Sequence, residues 1–152
     1  MNSGMKDIII EYNGKTAPQC SEETFNECKI GYIVVPIEYD GETICGQQVK
    51  SIGKCGESEE ECQWTYYYQE KMLRIEGKGD MESYSAEKQA PWNIKKDIIE
   101  KISVEGIISI GDFAFMNHKK LETIIISDDI IEIGKNPFIE CSSLKTIKAN
   151  HS

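Results

Sequence analysis

Two consecutive stretches of this chain repeat one another. "IISIGDFAFMNHKKLETIIISDD" (Ile107–Asp129) aligns with the stretch that follows it, "IIEIGKNPFIECSSLKTIKANHS" (Ile130–Ser152), so the period is 23. Ile107 meets Ile130, Ile110 meets Ile133, Gly111 meets Gly134, Phe115 meets Phe138 and His118 meets Cys141. Leu121, Thr123 and Ile124 then meet Leu144, Thr146 and Ile147. A partial earlier copy, "IEKISVEGIISIG", sets Ile99, Ile102 and Val104 against Leu121, Ile124 and Ile126, and is one position shorter at its turn. Self-similarity at this period marks repeat architectures, in which one unit cannot bury its apolar edge alone and stacks on the next.

The unit itself fits neither a half-buried strand nor a helix. "LETIIISDDIIEIG" (Leu121–Gly134) shows neither strict alternation nor helical spacing. Leu-x-x-Ile-x-Ile instead places Ile124 and Ile126 on one side of a short strand and Thr123 and Ile125 on the other. The acidic pair Asp128-Asp129 turns the chain, Ile130 and Ile133 point inward on the next side, and Gly134 permits a tight corner. Phe138 fills the interior. Stacked turns pair their strands in parallel, with a repeat core of Ile110, Phe115, Leu121, Ile124, Ile126, Ile130, Ile133, Phe138, Leu144 and Ile147.

The first half has another texture. "DIIIEY" precedes Asn13-Gly14, and "YIVVPIEY" precedes Asp40-Gly41 and "ETICG"; both dipeptides suit two-residue hairpin turns. Pro36 lacks a ladder donor, which predicts an edge or bulged strand there. A third hairpin reads "QWTYYY", "QEKM", "LRIEG", with Trp64, Tyr66 and Tyr68 sharing a face, Tyr67 pointing away, and Leu73 and Ile75 answering across. The aromatic face reads as core or a lid over it, with a binding platform as the alternative. The polar run Gly77–Ala90 separates a β-rich lobe, 1–90, from a solenoid, 91–152. The expected fold is therefore mainly β, a short parallel solenoid of period 23 preceded by a hairpin-rich lobe.

Composition excludes more than it assigns. A net charge of -9 repels a phosphate backbone, which argues against nucleic acid. No apolar run reaches the ~18 residues of a membrane span, and "MNSGMKDIIIEYNG" does not read as a secretory signal, so an intracellular protein or one lacking its leader is expected. "ESEEE" (Glu57–Glu61) lacks the spacing of a calcium loop and reads as a solvated turn. Of the cysteines, Cys20, Cys28, Cys45, Cys55 and Cys62 cluster early and Cys141 stands apart, and none forms a C-x-x-C pair. Export would pair some of the early five, leaving at least one free; otherwise they pack as small buried hydrophobes. His118 and Cys141 share a repeat position, and a Cys-His pair is weighed against packing, which the repeat favours. No Ser-His-Asp set, carboxylate pair or phosphate loop appears. Asn150-His151-Ser152 forms a terminal sequon.

The repeat resembles the BspA-like leucine-rich-repeat family, whose unit runs approximately L-x-x-I-x-I-P-x-x-I-x-x-I-G-x-x-A-F-x-x-C-x-x. Leu121, Ile124, Ile126, Ile130, Ile133, Gly134, Phe138 and Cys141 match, as do Ala114 and Phe115 of "IGDFAFMNH". Pro137 replaces the family's Ala and His118 its Cys. The resemblance spans about residues 55–152, with 55–90 similar to the family's capping segment; residues 1–54 are unplaced. It implies a non-catalytic protein-binding or adhesion module, at the cell surface or secreted, with a host or matrix protein as partner and no cofactor or metal. Contacts would lie on the exposed sheet face at Lys101, Ser103, Thr123, Ile125, Thr146 and Lys148. The alternatives are a disulfide-stapled structural module and a cysteine-based redox or metal protein. The last turn, with Ala149 where Ile126 stood, offers no cap, so its end is expected to fray or to associate with a second subunit.

Overall fold

The structure, a computed structural model, describes residues 8–150, at position 150 the backbone alone. His151 and Ser152 of the terminal sequon and residues 1–7 of the leader stretch lie outside these residues. The strands follow in order: β1 (Ile8–Glu11), β2 (Ile30–Val34), β3 (Thr43–Ile44), β4 (Gln47–Lys54), β5 (Gln63–Tyr67), β6 (Met72–Glu76), β7 (Lys101–Glu105), β8 (Ser109–Ile110), β9 (Thr123–Ser127), β10 (Glu132–Ile133) and β11 (Thr146–Asn150). A short 3-10 helix, Pro91–Lys95, precedes β7. The long sheet runs β1-β2-β4-β5-β6-β7-β9-β11, with β3 paired to β4, and β8 and β10 form a second small sheet.

Along this path β5 is the single reversed strand among the described residues. Its pairings with β4 and β6 are antiparallel, while β1-β2, β2-β4, β6-β7, β7-β9 and β9-β11 are all parallel. The fold is thus mainly β and mostly parallel, as the repeat requires. Register follows the repeat: Thr123 faces Thr146, Ile124 faces Ile147 and Ile110 faces Ile133, each pair one period apart. The earlier copy is one position shorter, with Ile102 facing Ile124.

The backbone repeats too. Phe113 and Asn136 adopt positive φ (53° and 45°), as do Asn117 and Glu140 (60° and 59°), so both turns use one conformation despite different residues. Successive turns are stitched by Phe113 N–H to Lys135 O, Phe115 N–H to Pro137 O and Asn117 N–H to Ile139 O, all 2.9 Å. These bonds satisfy loop amides that would otherwise be stranded. Gly134 is needed for a close approach and not for its φ: a Cβ there would lie 2.7 Å from the Asp112 nitrogen.

The same turn occurs within residues 1–54. "FNEC" (Phe25–Cys28) matches "FIEC" (Phe138–Cys141), Glu27 has a φ of 61°, and Cys28 N–H reaches Phe25 O at 3.1 Å as Cys141 N–H reaches Phe138 O. Ile30, Ile33 and Val35 then follow with repeat-like spacing, and Pro36 stands where the family pattern has its proline. Two turn assignments are corrected accordingly. Asn13-Gly14 does not close a hairpin, because β1 lies parallel to β2 and a long crossover joins them. Asp40-Gly41 does not either; the hairpin there turns at Cys45-Gly46, between β3 and β4. Pro36 lies beyond the end of β2, which is flanked by β1 and β4 rather than at an edge. The third hairpin is as expected, with Tyr66 facing Leu73 and Trp64 facing Ile75.

One core runs through the described residues. Leu73, Ile75, Ile102, Val104, Ile124, Ile126 and Leu121 stack along it, and Phe115, Ile110 and Trp92 close the opposite side. The aromatic face is core: Trp64, Tyr66 and Tyr68 are buried, and Tyr66 and Tyr68 stand 4.7 Å apart in an edge contact. Burial pushes the Tyr68 hydroxyl up to about 12. Trp92 touches Trp64, Tyr84 and Phe115 and donates its Nε1–H to Ala114 O at 3.0 Å. Lys95 is also buried; its Nζ donates to Tyr39 O at 2.7 Å, pinning the 3-10 helix to the first half of the chain. Among the expected core residues, Ile130, Phe138 and Leu144 are half-buried, and Ile133 and Ile147 are 52% and 55% exposed. The last two differ from expectation because β10 and β11 each have a neighbour on one side only among the described residues.

Candidate interaction face

The strand alternation that sends Ile102 and Ile124 inward sends their neighbours to the opposite face. There the register aligns side chains into rows across the sheet. One row reads Lys50, Tyr67, Met72, Lys101, Thr123, Thr146, and the next Ile52, Thr65, Arg74, Ser103, Ile125, Lys148. Every contact candidate of the repeats falls in these two adjacent rows. Lys101 and Lys148 are exposed, and Ser103, Thr123, Ile125 and Thr146 are half-buried.

The rows extend beyond the repeats, to residues that carry no repeat signal in the sequence. Ile52 is 42% exposed beside Thr65, and Tyr67 packs edge-on against Tyr32 at 6.0 Å, with Lys50 Nζ 4.5 Å from the Tyr32 ring centre. Tyr67 points away from the core, as its alternation predicts, but the turn signals of the first half conceal its row partners on β2 and β4. Arg74 crosses the face and donates to Glu105 at 2.8 Å, with Glu76 at 3.5 Å. Burial works against its charge, but the two carboxylates outweigh it and raise the guanidinium pKa. At about a third to a half exposure these pairs add specificity more than stability.

The sulfur and imidazole groups sit elsewhere. Cys20 is bonded to Cys45, with Cα atoms 5.5 Å apart, and Cys55 to Cys62, 4.9 Å apart. Cys28 and Cys141 are free thiols, Cys28 exposed and Cys141 half-buried. Cys141 Sγ donates to Phe115 O at 3.1 Å, and burial raises its thiol pKa. His118 is fully buried, its Nδ1 2.9 Å from Met116 O, and burial lowers its pKa. The thiol therefore meets backbone rather than the imidazole, and packing explains both residues. Among the described residues no group of three or more His, Cys, Asp or Glu could hold a metal ion, and no helix is long and apolar enough to cross a membrane.

Parallel strands, stitched turns and a shared inward isoleucine ladder define a leucine-rich-repeat fold. Residues 95–152 match the family model described as BspA type Leucine rich repeat region (6 copies), the family that the repeat resembles. No curated protein matches the chain. A leucine-rich repeat protein from Eubacterium ventriosum is similar in structure, with a TM-score of 0.59 and 21% identity over 66% of this chain. The chain spans 26% of the length of that protein.

Proposed function

We propose that this chain is a non-catalytic protein-binding module, of adhesion type, that meets a protein partner through the outward face of its long sheet. The two ordered rows carry this reading. They present Lys101, Ser103, Thr123, Ile125, Thr146 and Lys148 on a rigid surface, extended by Arg74, Tyr67 and Ile52. Tyr and Arg are the side chains that most often dominate interface energy. In this reading residues 1–90, with 55–90 as capping segment, cover one end of the solenoid of residues 91–152. Immobilised protein should retain a partner that a Thr123→Arg/Lys148→Glu variant releases while its melting temperature is unchanged. Equal retention by both would sink the assignment to this face.

The two disulfides favour a second reading, a stapled structural module of an oxidising compartment such as the cell surface. Self-association through the last turn also belongs to the proposal, because Ile131 is 81% exposed beside the half-exposed Ile133 and Ile147.

A further inference from the structure

The outward face ends in a groove of about 820 Å³ at the C-terminal ends of β6, β7 and β9. Its walls carry five carboxylates, Glu59, Glu60, Glu76, Glu105 and Asp129, against one ammonium, Lys78. Glu76 and Glu105 share Arg74, whereas Glu59, Glu60 and Asp129 form no ion pair among the described residues. The apolar side chain of its lining is the half-buried Ile125 of the outward face, since Val104 is fully buried in the core.

The wall bearing Glu59 and Glu60 is held in place. The loop between β4 and β5 is closed by Cys55–Cys62, and its backbone is tied to the next loop by Lys78 N–H to Glu60 O at 3.2 Å and Gly79 N–H to Glu61 O at 2.9 Å. A solvated acidic run would need none of these ties. Like charges held together raise the local negative potential, and a groove with low-dielectric walls concentrates it. No group of three of these carboxylates converges as metal ligands do. The groove is also an open trough, continuous with the contact rows through Ile125 and Glu105.

We propose that this groove binds an extended cationic peptide segment of the protein partner, its lysine or arginine heads on the carboxylate walls. A methylene stem lies on Ile125, since long basic side chains bury their stems while the charged head stays solvated. Charge complementarity selects this occupant over an acidic or neutral strand. The proposal rests on the sheet-face reading above and names the chemistry of that face's partner at one end.

The test is fluorescence anisotropy of a labelled Lys/Arg/Ser peptide of about nine residues, ~30 Å when extended, beside its Glu-substituted counterpart. The cationic peptide binds and the acidic one does not. Binding weakens at least about tenfold in Glu59→Gln/Glu60→Gln/Asp129→Asn, and also falls between about 0.05 M and 0.5 M salt. The three positions are surface ones, so folding is retained, and a Glu22→Gln/Glu23→Gln variant, exposed and outside the groove, keeps full peptide affinity. Reduction of Cys55–Cys62 weakens binding by freeing the acidic loop. Equal affinity of wild type and the triple variant, insensitivity to salt, or spermine binding as tightly as the peptide would each overturn the proposal. If the peptide fails while Thr123→Arg/Lys148→Glu still releases a captured partner, the groove assignment falls and the sheet-face reading stands.

Discussion

Phe115 and Phe138 occupy one position of the repeat, so sequence alone assigns them one energetic role. The structure does not. Phe115 is fully buried and its ring meets Trp92 at 5.8 Å, His118 at 6.1 Å and Phe138 at 5.9 Å. Phe138 is half-buried and stacks on Phe115. Truncating a buried Phe to Ala costs about 3–5 kcal/mol through lost transfer energy and a residual cavity. Phe115→Ala should therefore cost about 4 kcal/mol, and Phe138→Ala, with part of its ring already in water, about 2 kcal/mol. With a urea slope of about 2 kcal/mol/M for a chain of this size, the midpoints fall by ~2 M and ~1 M. Urea titration followed by tryptophan fluorescence reads both, because Trp92 touches the Phe115 ring. Equal shifts for the two variants would refute the claim that position along the stack, and not the repeat consensus, sets the cost.

Shorter predictions accompany it. His118 is kept neutral by burial, so only the unfolded chain takes up its proton as pH falls through about 6.5. Its folded-state pKa is lowered, so it imposes no slope above that pH and removes stability below it, by at most about 1.4 kcal/mol per pH unit. Thermal melts at about pH 7.5 and 5.5 should show a smaller loss for His118→Gln than for wild type, and an equal loss would contradict its burial as a neutral base. Denatured, oxidised protein should show two free thiols, Cys28 and Cys141, to a thiol reagent; six would contradict the pairing. Reduction should cost about 2.5 kcal/mol for Cys55–Cys62 and about 3.5 kcal/mol for Cys20–Cys45, from their loop lengths. Light scattering should find concentration-dependent association that Ile131→Lys/Ile133→Lys abolishes; a monomer at every concentration would remove the self-association reading.

What the sequence disclosed depended on how nearly each stretch kept to one period. Across residues 107–150 strand positions, register and most inward residues could be read, because similar neighbours at a fixed offset leave one way to stack. The Trp64–Ile75 hairpin was legible because its two strands are joined by a short loop and their faces match. The segment 1–54 misled for the opposite reason. Asn13-Gly14 and Asp40-Gly41 carry strong local hairpin chemistry, yet the pairing there is set by a long-range parallel register that no local signal reports. One distant signal was present: "FNEC" in the first half against "FIEC" in the last. The contact rows were half legible. Their repeat members followed from alternation, but Arg74, Tyr67 and Ile52 join only once β4, β5 and β6 are set side by side. The groove was not legible, since its walls come from four separate loops.

The reversed strand of the long path, β5, has a bearing on how the chain finds its fold. Its partner β6 lies just across the short loop Tyr68–Lys71. By contrast, β7 closes onto β6 only after the whole stretch Gly77–Glu100, and β9 onto β7 after Gly106–Glu122. Short closures cost little chain entropy and long ones must wait for a template. The β5–β6 hairpin is then the natural starting point, with β4 and its parallel neighbours added on one flank and the repeats on the other. Growth in two directions from an internal seed leaves both outermost strands until last. Pulse-labelling hydrogen exchange during refolding should protect Trp64–Ile75 amides before those of β11; simultaneous protection would show that the stack forms in one step. The strand that interrupts the parallel order would thus be the point from which that order is propagated.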